Sequence, residues 1–338
     1  MKLVLDAYFD RNFGDDYMVR IMLHYLPEAE FIIREKNEFN SFLEKEQNVT
    51  FGADAKEQLP RIVITGSGFM INSPEALKCE LVWFIRRKRM GDYCVGCNIE
   101  PLHSRLKEFL IRKKLQKFKL VICRDAYSYN WLKKIKGPAV YRLPDILFSI
   151  PDEWLPKGKI SDRLGISVMH RAGDNEDCAY YRAMADAADH WAESTGKRVF
   201  LMAFDTGNEN DVWACDNVKR MMKRRDMADI IYHDNNEEIL NAYAECEKII
   251  GARFHSGVLA MRMGKAFYPV IFREKMRRLI NESCYPVKGC DIDNIDIGEI
   301  KRFLDSPSVN IRPNRDMLDS SMQYSVILKR EYIKAERK

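Results

Sequence analysis

No stretch of this chain approaches the roughly 18 consecutive apolar residues that a membrane-spanning helix needs. The opening Met1-Lys2-Leu3-Val4-Leu5-Asp6 is also too short in apolar length for a secretory signal and reads as a first β-strand. Both absences lead to the expectation of a cytoplasmic protein. Three signatures are missing as well. Without G-x-x-x-x-G-K-S/T there is no P-loop, without G-x-S-x-G no hydrolase nucleophile elbow, and without G-x-G-x-x-G no dinucleotide fingerprint. No repeat of solenoid period and no low-complexity tract occurs. Charge of one sign is not in large excess: 55 Lys and Arg face 50 Asp and Glu. That net +5 is not the strongly basic domain of a general nucleic-acid binder.

Nine cysteines, an odd number, are scattered through the chain. With no signal-type start they fit a reducing compartment and free thiols. Cys94-Val95-Gly96-Cys97 has the C-x-x-C spacing, but no second such pair and no C-x-x-H completes a zinc site. Strand alternation over 93–99 predicts that its two sulfurs point to opposite faces as buried structural groups. No metal site is expected.

A length of 338 residues exceeds what one core usually spans, so two domains are the default. Residues 1–150 alternate strand-like runs (3–7, 29–33, 61–65, 93–99, 120–123, 140–143) with helical ones (15–25, 38–46, 75–89, 106–115, 126–135). Ser73-Pro74 supplies an N-cap and an N1 proline for the third helix. Residues 144–159 hold three prolines and one glycine with little periodicity and read as a linker. Alternation then restarts, with strands at 164–169, 198–203, 230–232, 248–251 and 267–272. The helices are at 176–194, 210–222, 236–245, 256–263 and 274–283, with two more between 297 and 334. Near-continuous apolar strands separated by helices predict an α/β protein: two Rossmann-like domains, 1–150 and 151–338, each with a parallel sheet covered on both faces.

The chemistry-bearing residues cluster where strands give way to helices, which is where open α/β sheets bind ligands. Gly251-Ala252-Arg253-Phe254-His255-Ser256-Gly257 follows one strand and opens a helix. An Arg there can clamp a carboxylate or phosphate, and an imidazole two positions on can move a proton; the other reading is a His packed under the loop with Arg253 paired to an acidic neighbour. Lys275, after the next strand, adds a second positive charge. Val168-Met169-His170-Arg171 ends the first strand of the second domain with another imidazole and guanidinium. Arg11-Asn12-Phe13-Gly14-Asp15-Asp16 is either a helix entry capped by Asp15 or a loop whose Asn12 amide and backbone N–H groups face a ligand. Gly66-Ser67-Gly68 is either an anion cradle or a tight turn. Arg124 either reaches the cleft or pairs with an acid to tie its loop down, with Asp125 capping the helix that follows. The loop 204–211 reads as a turn and helix cap, with sugar hydroxyl contacts as the other reading. Three basic runs, at 86–89, 112–119 and 219–225, are either solvated helix faces or attractors of an anionic surface.

Taken in order, these motifs resemble the polysaccharide pyruvyl transferase family. The N-terminal half supplies Asn12-x-Gly14-Asp15, Gly66-x-Gly68, Gly96-x-Asn98-Ile99-x-Pro101, Arg124-Asp125-x-x-Ser128 and Pro144-Asp145. The C-terminal half supplies Arg253-x-His255-Ser256, Gly264-x-x-x-x-Pro269-Val270 and Lys275. The resemblance runs from about residue 5 to 285. It differs in the second loop, where a triple glycine is common, and at Glu100, where a glycine usually precedes the proline. The resemblance implies a fold similar to GT-B glycosyltransferases. It also implies transfer of a pyruvyl group from phosphoenolpyruvate to two hydroxyls of one sugar, giving a cyclic ketal with no cofactor beyond the donor substrate. On that reading Arg253, Arg171, Lys275 and Ser256 hold phosphoenolpyruvate, and His255 is the general acid with His170 as alternate. Asp15 accepts a hydroxyl proton, and Asn12, Gly14, Gly66, Gly68 and Arg124 meet the acceptor. The acceptor is a polysaccharide precursor or a lipid-linked sugar, with peripheral contact at the inner face of a membrane. Two competing readings are a sugar-nucleotide glycosyltransferase of the same architecture and a non-catalytic glycan- or membrane-associated scaffold.

Overall fold

In a computed structural model the described residues are 1–52, 59–66, 68–71, 73–85, 91–158, 161–309, 312–313 and 315–337. The basic run 86–89, Ser67, Lys159 and the Trp83 side chain lie outside the described residues. The chain forms two units, one of Met1–Phe9, Tyr17–Ser149 and Arg315–Lys338, the other of Asp10–Asp16 and Ile150–Asn314. Two segments depart from a division at residue 150: the loop at 10–16 groups with the second unit and the C-terminal helices with the first.

The first unit's sheet contains β1 (Lys2–Ala7), β2 (Glu30–Ile33), β3 (Val49–Phe51), β4 (Arg61–Ile64), β5 (Gly68–Phe69), β6 (Tyr93–Ile99), β7 (Leu120–Cys123) and β8 (Ala139–Arg142). Its order is β3-β2-β1-β4-β6-β7-β8, with β5 on β6. Its helices are α1 (Phe13–His24), whose first turn falls in the second unit, α2 (Pro74–Ile85), α3 (Arg105–Leu115) and α4 (Ala126–Leu132). Ser73 Oγ accepts from the Ala76 N–H at 3.0 Å, and Asp125 caps α4 through the Ser128 N–H at 2.7 Å.

Two expectations need correction here. The helix expected over 38–46 is one 3₁₀ segment, Ser41–Lys45. Asn37 and Asn40 side chains accept backbone N–H groups within that loop and so compete with helix formation. The unit boundary between Ser149 and Ile150 falls inside the stretch read as a linker, and Ile146–Ser149 there is a fully buried 3₁₀ turn held by Asp145 accepting from the Leu147 N–H at 2.9 Å. Finally, Cys94 and Cys97 do not face opposite sides. Gly96 sits at φ +83°, and the register against β7 shifts between Val95 and Cys97. This bulge resets the alternation, so both sulfurs join the core under α3 with Leu110, Ile111 and Cys123. The Cys94 contact and burial together push the Cys97 thiol well up, which keeps it inert.

The second unit's sheet contains β9 (Arg163–Val168), β10 (Val199–Ala203), β11 (Ala228–Tyr232), β12 (Cys246–Gly251), β13 (Ala266–Ile271) and β14 (Cys290–Asp291). Every pairing is parallel, in the order β11-β10-β9-β12-β13-β14. Counted within the unit this is 3-2-1-4-5-6, the doubly wound order, and the direction of winding reverses between β9 and β12. The helices are α5 (Ala179–Thr195), α6 (Asp211–Met221), α7 (Glu238–Glu245), α8 (Phe254–Arg262), α9 (Glu274–Glu282) and α10 (Ile297–Asp305). The core packs Leu164, Ile166, Leu201 and Ile250 against Tyr180, Met184 and Trp191 of α5. α11 (Arg315–Ser321) and α12 (Gln323–Glu336) end the chain in the first unit. All eleven expected strands are present; β3, β5 and β14 are three, two and two residues long, too short to show alternation.

Candidate functional site

The switch point of the second sheet holds a cavity of about 580 Å³. His170 and Arg171 follow β9, Arg253 follows β12, and Arg273 and Lys275 follow β13 at the start of α9; all five line it. Three strand ends therefore bring together cations that lie about a hundred residues apart in sequence. This is the crevice that a doubly wound sheet offers a ligand.

The cations do not stand alone, and Arg253 pairs with acidic neighbours. Its Nε donates to Asp211 Oδ2 at 2.8 Å, its Nη2 to Asp211 Oδ1 at 2.5 Å, and its Nη1 to Glu209. Arg171 is held the same way, by Asp174 through Nε at 3.1 Å and Nη2 at 2.9 Å, with Nη1 on Asp293 at 2.5 Å. In each case one acid is sealed and one is open. The side chains of Asp211 and Asp174 are 0% and 8% exposed, those of Glu209 and Asp293 52% and 79%. Asp211 is also a hub, since its oxygens accept the backbone N–H groups of His170 at 2.9 Å and Asp205 at 3.1 Å. Burial raises the Asp211 carboxyl against the pull of Arg253. Burial would lower the Arg253 guanidinium too, but Asp211, Glu209 and Asp205 more than reverse it, so it stays charged.

Lys275 Nζ lies 5.3 Å from the Phe254 ring centroid, and the Arg273 guanidinium 4.9 Å from that of Phe272. His170 Nδ1 donates to the Glu209 carbonyl at 2.7 Å while its ring packs on Trp213 at 4.7 Å. A carbonyl only accepts, so the neutral ring carries its proton on Nδ1 and its lone pair on Nε2.

His255 is not among the residues lining the cavity. It is buried in the first turn of α8 with its ring against Gly14, where a Cβ would fall 1.6 Å from Nδ1. Two motifs about 240 residues apart, Asn12-x-Gly14-Asp15 and Arg253-x-His255-Ser256, thus meet in atomic contact inside the second unit. Asn12, not Asp15, caps α1: its Oδ1 accepts the Gly14 and Asp15 N–H groups at 3.1 and 3.4 Å, and its Nδ2 donates to Asp205 at 3.0 Å. Both ends of that amide are spent within the protein, so it does not face an acceptor. Asp15 is buried in the first turn of α1. Further anchors hold the segment down: Asp10 accepts from Asn208 N and Nδ2, each at 3.0 Å, and His233 pairs with Asp16 at 2.9 Å.

Other expected contacts are occupied. Ser256 is fully buried with Oγ 2.6 Å from the Tyr243 hydroxyl, a core bond and not a cavity contact. Arg124 is buried in an ion pair with Asp145 at 2.6 Å and also donates to Asn98 at 2.9 Å and to the Gly66 carbonyl. The loop-tying reading therefore holds for it. Gly68 begins β5 and packs so closely on Glu100 that a Cβ would lie 2.6 Å from Cγ. The sequence does not mark Asp205, Glu209, Asp211, Asp174, Asp293, Arg273, Asp16 and His233 as site residues. Only the polar run 204–211 hinted at the first three, and it reads as a turn and helix cap. Among the described residues no group of three or more His, Cys, Asp or Glu is placed to hold a metal ion.

The fold is shared with two-unit sugar-nucleotide enzymes of the GT-B class. The UDP-GlcNAc 2-epimerase of Methanocaldococcus jannaschii, in complex with UDP-GlcNAc and UDP, superposes with a TM-score of 0.61 at 12% identity, covering 98% of this chain and 100% of the other. S. aureus MnaA with UDP gives 0.63 at 9%, covering 98% and 96%. Anabaena HepE with UDP and glucose gives 0.50 at 12%, covering 98% and 95%. At these identities the likeness speaks for the fold alone. No curated protein matches the sequence. The model of the polysaccharide pyruvyl transferase family matches residues 12–271, and the chain belongs to that family.

Proposed function

We propose that the protein transfers a pyruvyl group from phosphoenolpyruvate to two hydroxyls of a sugar in a polysaccharide precursor. The donor occupies the second unit's cavity and no other cofactor takes part. The observation that carries this reading is the convergence of Arg171, Arg253, Arg273 and Lys275 on one small cavity at the switch point. A metabolite with a phosphate and a carboxylate needs several cations on a small footprint. The two-tier acids explain how those cations stay aligned. Buried Asp211 and Asp174 aim the guanidiniums, while exposed Glu209 and Asp293 make surface pairs worth only about 0–1 kcal/mol each, which an anion displaces.

The chemistry needs a proton delivered to the methylene carbon of the enol and one removed from each attacking hydroxyl. As C3 is protonated, positive character develops at C2 and the first sugar hydroxyl adds there. Phosphate leaves with the C–O electron pair, and the second hydroxyl closes the ketal, its proton passing to phosphate. In the neutral ring His170 already commits its N–H to Glu209, so its Nε2 suits acceptance of the first hydroxyl's proton. On the family resemblance we assign the proton donor to His255, two positions from Arg253; it does not line the cavity, so turnover of its variant decides the role. The test follows phosphate release with phosphoenolpyruvate and a panel of sugar acceptors. Turnover is expected to fall about 10²–10⁴-fold in His255→Ala and in His170→Ala. Full turnover in either variant removes that residue from the chemistry. Binding of UDP-sugars but not phosphoenolpyruvate would give the cavity to a sugar nucleotide, the ligand class held by the solved structural relatives.

A further inference from the structure

Helices α2 and α3 of the first unit carry an apolar surface that the transfer reaction does not use. Of thirteen large hydrophobic side chains exposed among the described residues, five stand on these two helices: Val82, Phe84, Ile85, Leu106 and Phe109. Ile85 is 74% exposed, the most open of them all. On α3 the exposed positions Arg105, Leu106, Phe109 and Lys113 fall three or four apart and so form one stripe, while Leu110, Ile111 and Leu115 turn into the core. The two helices join at the surface, with the Phe84 and Phe109 rings 5.7 Å apart edge to face. Lys113 Nζ stands 5.7 Å from the Phe109 ring, placing charge beside apolar surface.

The charge of this stretch of sequence points to the occupant. Residues 74–119 contain twelve Lys and Arg against five Asp and Glu, although the whole chain has 55 against 50. The rest of the molecule is therefore slightly acidic, and the excess positive charge is concentrated in this one segment. Two of the three acids on the helices are already neutralised, Glu80 by Lys114 and Glu108 by Arg112. Exposed aromatic and aliphatic side chains beside Arg105 and Lys113 match an anionic lipid surface: the apolar groups enter the acyl boundary while Lys and Arg reach the headgroups.

We propose that the α2–α3 face docks the protein on an anionic bilayer. The inference does not depend on pyruvyl transfer, because it is read from lipid binding and not from turnover. The test is co-sedimentation of the full chain with vesicles of phosphatidylcholine alone and with about one-third phosphatidylglycerol. Binding is expected at least about tenfold stronger on the anionic vesicles and to weaken as salt rises. Phe84→Ser with Ile85→Ser should reduce it about tenfold while circular dichroism and turnover on a soluble acceptor stay unchanged. Arg105→Glu with Lys113→Glu, which leaves the apolar groups in place, should reduce it similarly, so that a packing defect at Phe84 cannot mimic the result. Equal binding to neutral vesicles, no binding to anionic ones, or full binding by both variants overturns the proposal.

Discussion

Gly14→Ala tests the meeting of the two motifs directly. A methyl carbon at position 14 would lie 1.6 Å from His255 Nδ1, 2.1 Å from Cγ and 2.3 Å from Cε1. Non-bonded heavy atoms settle at about 3.5–4.0 Å, so the ring must retreat by about 2 Å. It has little room to do so, being buried and packed edge-on against Phe254 with centroids 5.3 Å apart. Overpacking of this kind costs about 1–3 kcal/mol. At about 2–4 °C per kcal/mol for a unit of this size, the second unit's melting temperature should fall by about 2–12 °C. The ring's removal supplies the control. In a His255→Ala background the added methyl enters vacated space, so Gly14→Ala should cost far less there, a coupling of about 1–3 kcal/mol. Urea denaturation and calorimetry of the two single variants and the double variant measure it. The double variant should recover stability and stay inactive, because the imidazole is gone. Additive costs, within about 0.5 kcal/mol, would refute the contact and with it the argument that the motifs converge at His255.

The acids around Arg253 give two more tests. Glu209→Gln removes the exposed competitor for Arg253 and should tighten phosphoenolpyruvate binding about two- to fivefold, whereas Asp211→Ala leaves a guanidinium without its buried partner. That second change should weaken binding and destabilise the fold by about 3–5 kcal/mol, with calorimetry of binding and of unfolding reading the two effects. Asp205 gives a pH signature. Burial foremost, then Asp211 and Glu209, raise its carboxyl to about 6 against Asn12 and Arg253. The folded state therefore holds a proton between about pH 4 and 6 that the unfolded chain releases. This group favours the fold as pH falls through that window, and its penalty is complete above it. Relative to Asp205→Asn, the wild type should gain on the order of 2 kcal/mol between pH 7 and 4. Parallel stability curves for the two proteins would remove the shift.

The sheets were legible because their strands are apolar runs buried on both faces, a pattern that needs only local sequence. The cation set at 171, 253 and 275 was legible for a related reason: a strand end before a helix is a position, and position can be counted. Partnership cannot. Nothing near Arg253 in sequence marks Asp211, 42 residues upstream, as the acid that grips it, because β10 and β12 must first assemble on either side of β9. The same gap explains Arg124, whose buried partner Asp145 lies across the β7–β8 connection. At Gly96 the error was geometric: one left-handed glycine inserts a bulge, and every alternation argument past it changes sign.

A site built from cations faces a problem whenever it is empty. Several guanidiniums and an ammonium in a small cavity repel one another and would swing into solvent. Two solutions compete: leave them mobile and lose alignment, or lock them to acids and lose the ligand's binding energy. The arrangement here divides the acids by burial. Asp211 and Asp174 cannot leave without exposing a buried charge, so they fix direction. Glu209 and Asp293 are solvated already and lose little when displaced. On the proposed function an anion therefore meets guanidiniums already aimed, with part of the ordering entropy removed by the fold itself. That division, more than the number of positive charges, separates a built anion site from an incidental basic patch.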